Sequence, residues 1–315
     1  MTKFNKKIAI TTGDVNGIGA EITIKALNQL DLPKENVVII SNSDVLNFYG
    51  RLKTDYEVVE IKYDKSDIEP GKITANSGNF GFKTLKMACD VAKNGQIDAI
   101  VTAPLSKIGM QQAGHIYSGQ TEVLQKFLAK DAQRAEMLFV AKDFRVLLLT
   151  RHVPLKEIFL TKDSVVELVV NLNEFFKSKF KIAHPKFALC AFNPHAGEGG
   201  ILGREEIEIL SPAVAELKGL GVDITEPLPA DTLFIQASKA YLNNQKNPYD
   251  CYLANYHDQG LIPIKSIASD KTVNMTIGLD VIRTSPSHGT AFDIAGKNLA
   301  SAESMVEAIL QSLQV

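Results

Sequence analysis

Three of the six histidines in this sequence stand in one repeated setting. His152 follows the apolar run FRVLLLT, His195 follows FALCAF, and His257 follows CYLANY. Each run reads as a strand, and each histidine opens the polar segment after it. In parallel α/β sheets, ligands bind just beyond the carboxyl ends of strands. Neutral imidazole is a good donor to zinc and similar divalent ions, and three protein donors leave a position open for substrate. One such histidine alone is more often a loop or structural residue, but the shared setting points to a three-histidine metal site. Zinc is the first expectation, with magnesium or cobalt next. Asp231, in PLPADT, and Asp258, beside His257, are placed to orient an imidazole or accept a proton. Helix capping or a turn is the ordinary alternative for both. His115 and His184 read as structural or exposed.

A second set of residues suits anions. Lys265, Asn274 and Arg283 follow the His257 segment. Arginine captures carboxylate or phosphate through two parallel hydrogen bonds, and lysine adds a point charge. Solvated surface is the competing reading. Gln120 and Thr121, in SGQTE, begin a helical stretch whose free backbone N–H groups and threonine hydroxyl suit a phosphate. A plain helix cap competes equally.

The elements that must carry these residues alternate between apolar runs and amphipathic stretches. Strands are predicted over 7–11, 37–40, 99–102, 144–149, 187–192 and 251–256. Helices are predicted over 18–29, 82–93, 122–128, 164–177 and 301–313. Residues 266–276 read as a loop or irregular crossover. Strands alternating with helices imply a mostly parallel sheet covered on both faces. After the first strand comes TTGDVNGIGAE, a glycine-rich turn that invites a dinucleotide reading. The third glycine of that fingerprint is replaced by Ile22, and no acidic residue stands where the ribose would need one. A tight strand-to-helix turn is the better reading, and a helix N-terminus facing an active-site cleft is the alternative.

Composition narrows the function. A net charge of −2 argues against a general nucleic-acid binder. Cys89, Cys190 and Cys251 are far apart and form no CxxC pair, so they read as buried reduced thiols. The N-terminal MTKFNKKIAI lacks the apolar core and cleavage site of a signal peptide. No apolar stretch approaches the roughly 20 residues that span a bilayer. A cytoplasmic protein, with neither nucleic acid nor membrane as partner, is expected.

The segments TTGDVNGIGAE, VTAPLSK, SGQTE, RHVPL, NPHAGEGG, PLPADTLF, YHDQG and VNMTIGLDVIRTSPSHGTAFDIAGK, in this order, resemble the 4-hydroxythreonine-4-phosphate dehydrogenase family of pyridoxal phosphate synthesis. The last segment is also similar to the adenosine-binding loop of isopropylmalate dehydrogenases. The resemblance implies a two-lobed α/β fold of the isocitrate/isopropylmalate dehydrogenase type, with mostly parallel sheets and the active site in the cleft. One lobe is expected from residues 1–122 plus 261–315 and the other from 123–260. The implied reaction is NAD- or NADP-dependent oxidation of 4-phosphohydroxy-L-threonine to 2-amino-3-oxo-4-(phosphooxy)butanoate. Loss of CO2 then gives 3-amino-2-oxopropyl phosphate. A related dehydrogenase of phosphorylated threonate or erythronate is the alternative. The resemblance assigns the metal to His152, His195 and His257, and the substrate to Gln120, Thr121, Lys265, Asn274 and Arg283. It assigns the cofactor to His288, Gly289, Thr290, Ala291 and Asp293. It also implies a homodimer with a shared active site, His152 and His195 coming from one subunit and His257 from the other. Gln120 stands where the family commonly has histidine, and glutamine cannot carry that charge.

Overall fold

A computed structural model describes residues 6–131 and 133–315. Residues 1–5, part of the N-terminal stretch read above as lacking a leader, lie outside the described residues. The chain forms two compact units, residues 1–136 with 273–315 and residues 137–272. The expected breaks after residues 122 and 260 therefore fall short of the observed ones.

Unit 1 begins with β1 (Ile8–Thr11), α1 (Gly19–Leu30), β2 (Val37–Ser41), α2 (Ser43–Tyr49) and β3 (Glu57–Glu60). It continues through α3 (Ala75–Lys93), β4 (Ala99–Thr102), α4 (Lys107–Gln112) and α5 (Gln120–Leu128). Unit 2 holds β5 (Glu136–Ala141), β6 (Phe144–Leu148), α6 (Lys162–Ser178), β7 (Lys186–Leu189) and α7 (Ser211–Gly219). It closes with β8 (Asp223–Ile224), α8 (Ala230–Leu242), β9 (Cys251–Ala254) and α9 (His257–Ala268). The chain then returns to unit 1 with β10 (Val273–Ile277), β11 (Ile282–Pro286) and α10 (Glu303–Gln314).

In unit 1 the strands run in the order β3-β2-β1-β4-β11-β10, parallel except where β10 meets β11. Side chains alternate across a strand, and the core follows that rule. Ile8, Ile10, Val37, Ile39 and Val101 join one apolar cluster with α1 and α10. Ala9, Ile40 and Ile100 face the opposite cluster with α3 and α5. Both sheet faces are dry, so these strands read as continuous apolar runs. Each fully buried Ile or Val side chain adds roughly 1.5–3 kcal/mol.

In unit 2 the order is β5-β6-β9-β7-β8, with β5 and β6 an antiparallel hairpin and the others parallel. Phe144, Val146 and Leu148 pack with Tyr252 and Ala254 against Leu233 and Phe234 of α8 and Leu261 and Ile264 of α9.

Three local expectations need correction. The helix expected over 82–93 begins at Ala75, because Thr74 caps it by accepting from Ser77 N at 3.1 Å. Its polar, glycine-containing first turns hide the helical period. The segment 266–276 is not a loop: α9 runs to Ala268, and Val273–Ile277 is a strand. Val273, Met275 and Ile277 are buried and alternate with Asn274 and Thr276, a period-two pattern too short to stand out. His257 is the first residue of a helix, one that contains Pro263, and does not lie in a loop.

Candidate active site

Unit 2 carries the histidines. At the start of α9, His257 Nδ1 lies 2.7 Å from Asp258 Oδ1. This contact fixes the ring and leaves Nε2 as the free donor, the usual arrangement of a metal-binding imidazole and its carboxylate. The ring centroids of His152 and His257 are 5.5 Å apart, inclined at 44°. Two imidazoles sharing a tetrahedral ion, each nitrogen about 2.1 Å from it, would place their centroids about 5 Å apart. The centroid separation of this pair is close to that value. The resemblance placed His152 and His257 on different subunits, yet here they are neighbours within one chain. Among the described residues, no group of three His, Cys, Asp or Glu side chains is arranged to hold a metal. The structure thus brings two of the three expected histidines together and leaves His195 outside the pair.

His195 sits on an unusual turn. His195, Ala196, Gly197, Glu198 and Gly199 have φ values of 53°, 55°, 77°, 43° and 67°, five consecutive left-handed residues. Such a conformation costs roughly 1–2 kcal/mol at each non-glycine position. Buried Glu206 holds it, accepting from Asn193 N at 2.7 Å and Asn193 Nδ2 at 2.9 Å. At Gly197 a Cβ would stand 2.8 Å from Glu206 Oε2 and 3.0 Å from Gly203 O, so a side chain there would press on the carboxylate that holds the turn. A further network ties the strand ends. Gln259 Oε1 accepts from Asn255 N at 2.7 Å, and Gln259 Nε2 donates to Ala191 O at 2.7 Å. Asn255 Nδ2 donates to Cys190 O at 2.9 Å, joining the base of the His195 segment to the base of α9.

Two other expected residues also lie in unit 2. Lys265 shares a groove of about 390 Å³ with His257, Asp258, Leu261 and Ile262. Partial burial pushes its ammonium pKa down. Asp231 is exposed in the first turn of α8. Asp258, offered above as a proton acceptor, spends an oxygen on His257.

Unit 1 holds the anion set. Arg283 of β11 is buried, with 3% of its surface exposed. Its Nε and Nη2 donate to Thr102 Oγ1 at 2.8 and 2.6 Å, and Nη2 also donates to Gln120 Oε1 at 3.0 Å. Nη1 reaches Thr276 Oγ1 at 3.5 Å. All these partners are neutral, and burial lowers the guanidinium pKa to about 9. A buried cation without a carboxylate is costly unless an anion arrives. Gln120 and Thr121 open α5, whose N-terminus has no side-chain cap. Gln120 Nε2 donates to Ala103 O at 3.1 Å, so both ends of the amide are engaged. Asn274 Oδ1 is buried with no hydrogen-bond partner, an acceptor awaiting a donor. Thr102 and Thr276 were missed in the sequence reading. The threonine ending the strand in VTAPLSK was the available signal for the first.

The segment from His288 to Asp293 follows β11. His288 and Asp293 are exposed, His288 Nδ1 is 3.1 Å from Gly289 O, and Ala291 has φ 42°. The glycine-rich turn braces this segment. Ile18 N donates to Thr290 O at 3.0 Å, and a Cβ on Gly17 would meet that oxygen at 3.0 Å. Glu21 Oε1 accepts from Ala300 N at 2.9 Å and pairs with Lys25 at 2.8 Å. The start of α1 thus serves the chain itself, through the Ile18 amide and the Glu21 carboxylate.

The remaining candidates are structural. His115 stacks on Phe82 with centroids 3.7 Å apart and bonds Asn79 Oδ1 at 2.9 Å. The three cysteines are free and buried, and burial pushes the Cys89 and Cys251 thiols up to about 12.

Two α/β units with mostly parallel sheets define a known class of fold. A solved β-decarboxylating dehydrogenase from Thermococcus kodakarensis shares it, with a TM-score of 0.53 at 15% identity over 98% of this chain and 83% of that one. Within that class, residues 7–312 match the family described as pyridoxal phosphate biosynthetic protein PdxA, and the chain belongs to that family. It is similar to 4-hydroxythreonine-4-phosphate dehydrogenase of Sulfurihydrogenibium sp., 39% identical over 96% of both chains. It is also similar to D-threonate 4-phosphate dehydrogenase of Pectobacterium atrosepticum, 36% identical over 99% of both. The solved 4-hydroxythreonine-4-phosphate dehydrogenase of Klebsiella pneumoniae superimposes with a TM-score of 0.86 at 33% identity, covering 100% of this chain and 99% of that one.

Proposed function

We propose that this chain is the oxidoreductase of pyridoxine 5'-phosphate biosynthesis that oxidises 4-phosphohydroxy-L-threonine with NAD or NADP. The product is 2-amino-3-oxo-4-(phosphooxy)butanoate, which decarboxylates to 3-amino-2-oxopropyl phosphate. The observation that carries this reading is Arg283, a buried guanidinium whose partners are all neutral, in a chain of this family. A doubly anionic substrate supplies the missing charge.

Arg283 and Lys265 bind the anionic ends of the substrate, and Asn274 Oδ1 accepts from its amino or hydroxyl group. Thr121 and the uncapped start of α5 add donors. His152 and His257 hold a divalent metal, zinc before magnesium or cobalt, with Asp258 keeping the His257 ring turned toward it. His195 completes the set, and a homodimer with a shared site supplies the donor that one chain leaves apart from this pair. When bound, the metal supplies Lewis acidity toward the substrate hydroxyl, and the nicotinamide supplies the hydride acceptor. Asp231 is the carboxylate left to accept the hydroxyl proton. The His288–Asp293 segment, braced by α1, carries the cofactor. Three buried free cysteines favour a cytoplasmic setting.

A second reading, oxidation of phosphorylated threonate or erythronate, draws support from the D-threonate 4-phosphate dehydrogenase relative at 36% identity. Uncharged Gln120 beside Arg283 is compatible with either substrate. The test is NAD(P)H formation with the two substrates side by side, after chelation and addition of zinc, magnesium or cobalt. Metal-dependent turnover of 4-phosphohydroxy-L-threonine at the higher kcat/KM is expected. Preference for the threonate would select the second reading, and no turnover of either would overturn both.

A further inference from the structure

We infer that Thr102 is the positioning residue of the anion pocket, a neutral stand-in for the carboxylate that would ordinarily hold a buried arginine. The inference rests on the reading of Arg283 as a substrate-binding residue. Thr102 ends β4 and is fully buried. Arg283 lies on the neighbouring parallel strand, where its own register partner is Ile100. Across that ladder, one oxygen, Thr102 Oγ1, takes both Nε–H at 2.8 Å and Nη2–H at 2.6 Å. A hydroxyl oxygen has two acceptor sites, and both go to the same guanidinium.

The choice of a hydroxyl matters electrostatically. An aspartate or glutamate at this place would grip the same two N–H groups in the familiar forked geometry. It would also cancel the charge that must attract the substrate. Thr102 fixes the plane of the guanidinium and leaves its positive charge intact. Gln120 Oε1 at 3.0 Å does the same for the second Nη2 hydrogen. Among the described residues, Nη1 meets only Thr276 Oγ1, at 3.5 Å. The rigidly held side of the fork is therefore Nε and Nη2, and the side left for the ligand is Nη1. Without the Thr102 hydroxyl, two buried donors lose their acceptor and the guanidinium turns to find others. Ground-state binding of the anion suffers, while the hydride-transfer geometry, set elsewhere, does not.

The experiment compares Thr102→Val, which keeps shape and removes the hydroxyl, with Thr102→Ser, which restores it. Arg283→Met is the reference. KM and kcat for 4-phosphohydroxy-L-threonine, KM for the nicotinamide, and the thermal shift produced by the substrate alone are measured. Thr102→Val is expected to raise the substrate KM about 10- to 100-fold. It should shrink the substrate-induced thermal shift and leave kcat and the nicotinamide KM within about 3-fold. Thr102→Ser should lie within about 3-fold of the parent throughout. If the valine variant does not fold, Thr102→Ala carries the same readouts. An unchanged substrate KM in Thr102→Val, or a fall in kcat alone, overturns the role of Thr102 provided Arg283→Met has lost substrate binding. Should Arg283→Met itself bind substrate normally, the pocket reading fails and takes this inference with it.

Discussion

The two polar regions of this chain are built on opposite plans. In unit 1 the proposed anion site is buried, its guanidinium held by three neutral side chains on strands and a helix start. In unit 2 His152 and His195 are exposed and His257 half-exposed, on a loop, a left-handed turn and a helix start. The first region is paid for during folding, because a charge is desolvated before any ligand arrives. The second keeps its imidazoles in solvent, so its cost in the free chain is backbone strain at the left-handed His195 turn and not desolvation of a charge. Loss of a residue should therefore separate stability from activity differently in the two units.

The largest effect is expected at the histidines. His257→Ala should lower kcat/KM on the order of 10³-fold and reduce bound metal measured by elemental analysis. The melting temperature of the metal-free protein should move by no more than about 1 °C, as for other exposed side chains. A variant that keeps full metal content and rate would remove His257 from the site.

Arg283→Met should break the pattern in the opposite sense. Its substrate KM is expected to rise on the order of 10²–10³-fold. Its melting temperature at neutral pH should rise by about 2–5 °C, because an uncompensated buried charge has gone. The size of this gain depends on pH. Burial sets the folded guanidinium pKa at about 9, below its usual 12.5, so the native state releases a proton that the unfolded chain retains between those values. Parent stability from this group then rises with pH across that window, and the advantage of the methionine variant narrows there. Melting curves from pH 7 to pH 10.5 would show it, and a destabilised variant at pH 7 would refute the idea of a charge carried at a cost.

Asp14 offers the finest test of the same principle in unit 1. It is fully buried. Burial raises its pKa from 3.8 to about 6, against the N–H of Asn16, the Ser77 hydroxyl and the N–H of Ser106, which lower it. The native state thus holds a proton that the unfolded chain gives up. The associated stability is complete below pH 3.8 and is lost as pH rises through 6. Asp14→Asn should leave stability near pH 4 unchanged and gain about 1–3 kcal/mol at pH 7.5, read from denaturant unfolding. Equal effects at both pH values would show that packing, not charge, governs the position.

Much of this organisation is legible in the residues themselves, for reasons of period and chemistry. The buried parallel strands announce themselves because both faces are apolar, and Ala99–Thr102 is found to the residue. The histidines stand out because each follows such a run. Less was legible where the signal is shared with loops. A proline at 263 and a polar start disguise α9, and β10 is lost among Asn274, Thr276 and the preceding lysine. Thr102 carries only the weak signal of its place at the strand end in VTAPLSK, since a threonine ending a strand is ordinary until an arginine from another strand reaches it.

The amino-acid order alone determined the α/β alternation, the family, and which side chains have the chemistry to hold a metal and an anion, because these depend on local period and residue type. Tertiary structure decided which of them meet. It paired His152 with His257, wound His195 onto a left-handed turn closed by Glu206, and set Arg283 against Thr102. Those juxtapositions arise from strand register and loop closure between residues far apart in the chain, and no local pattern encodes them.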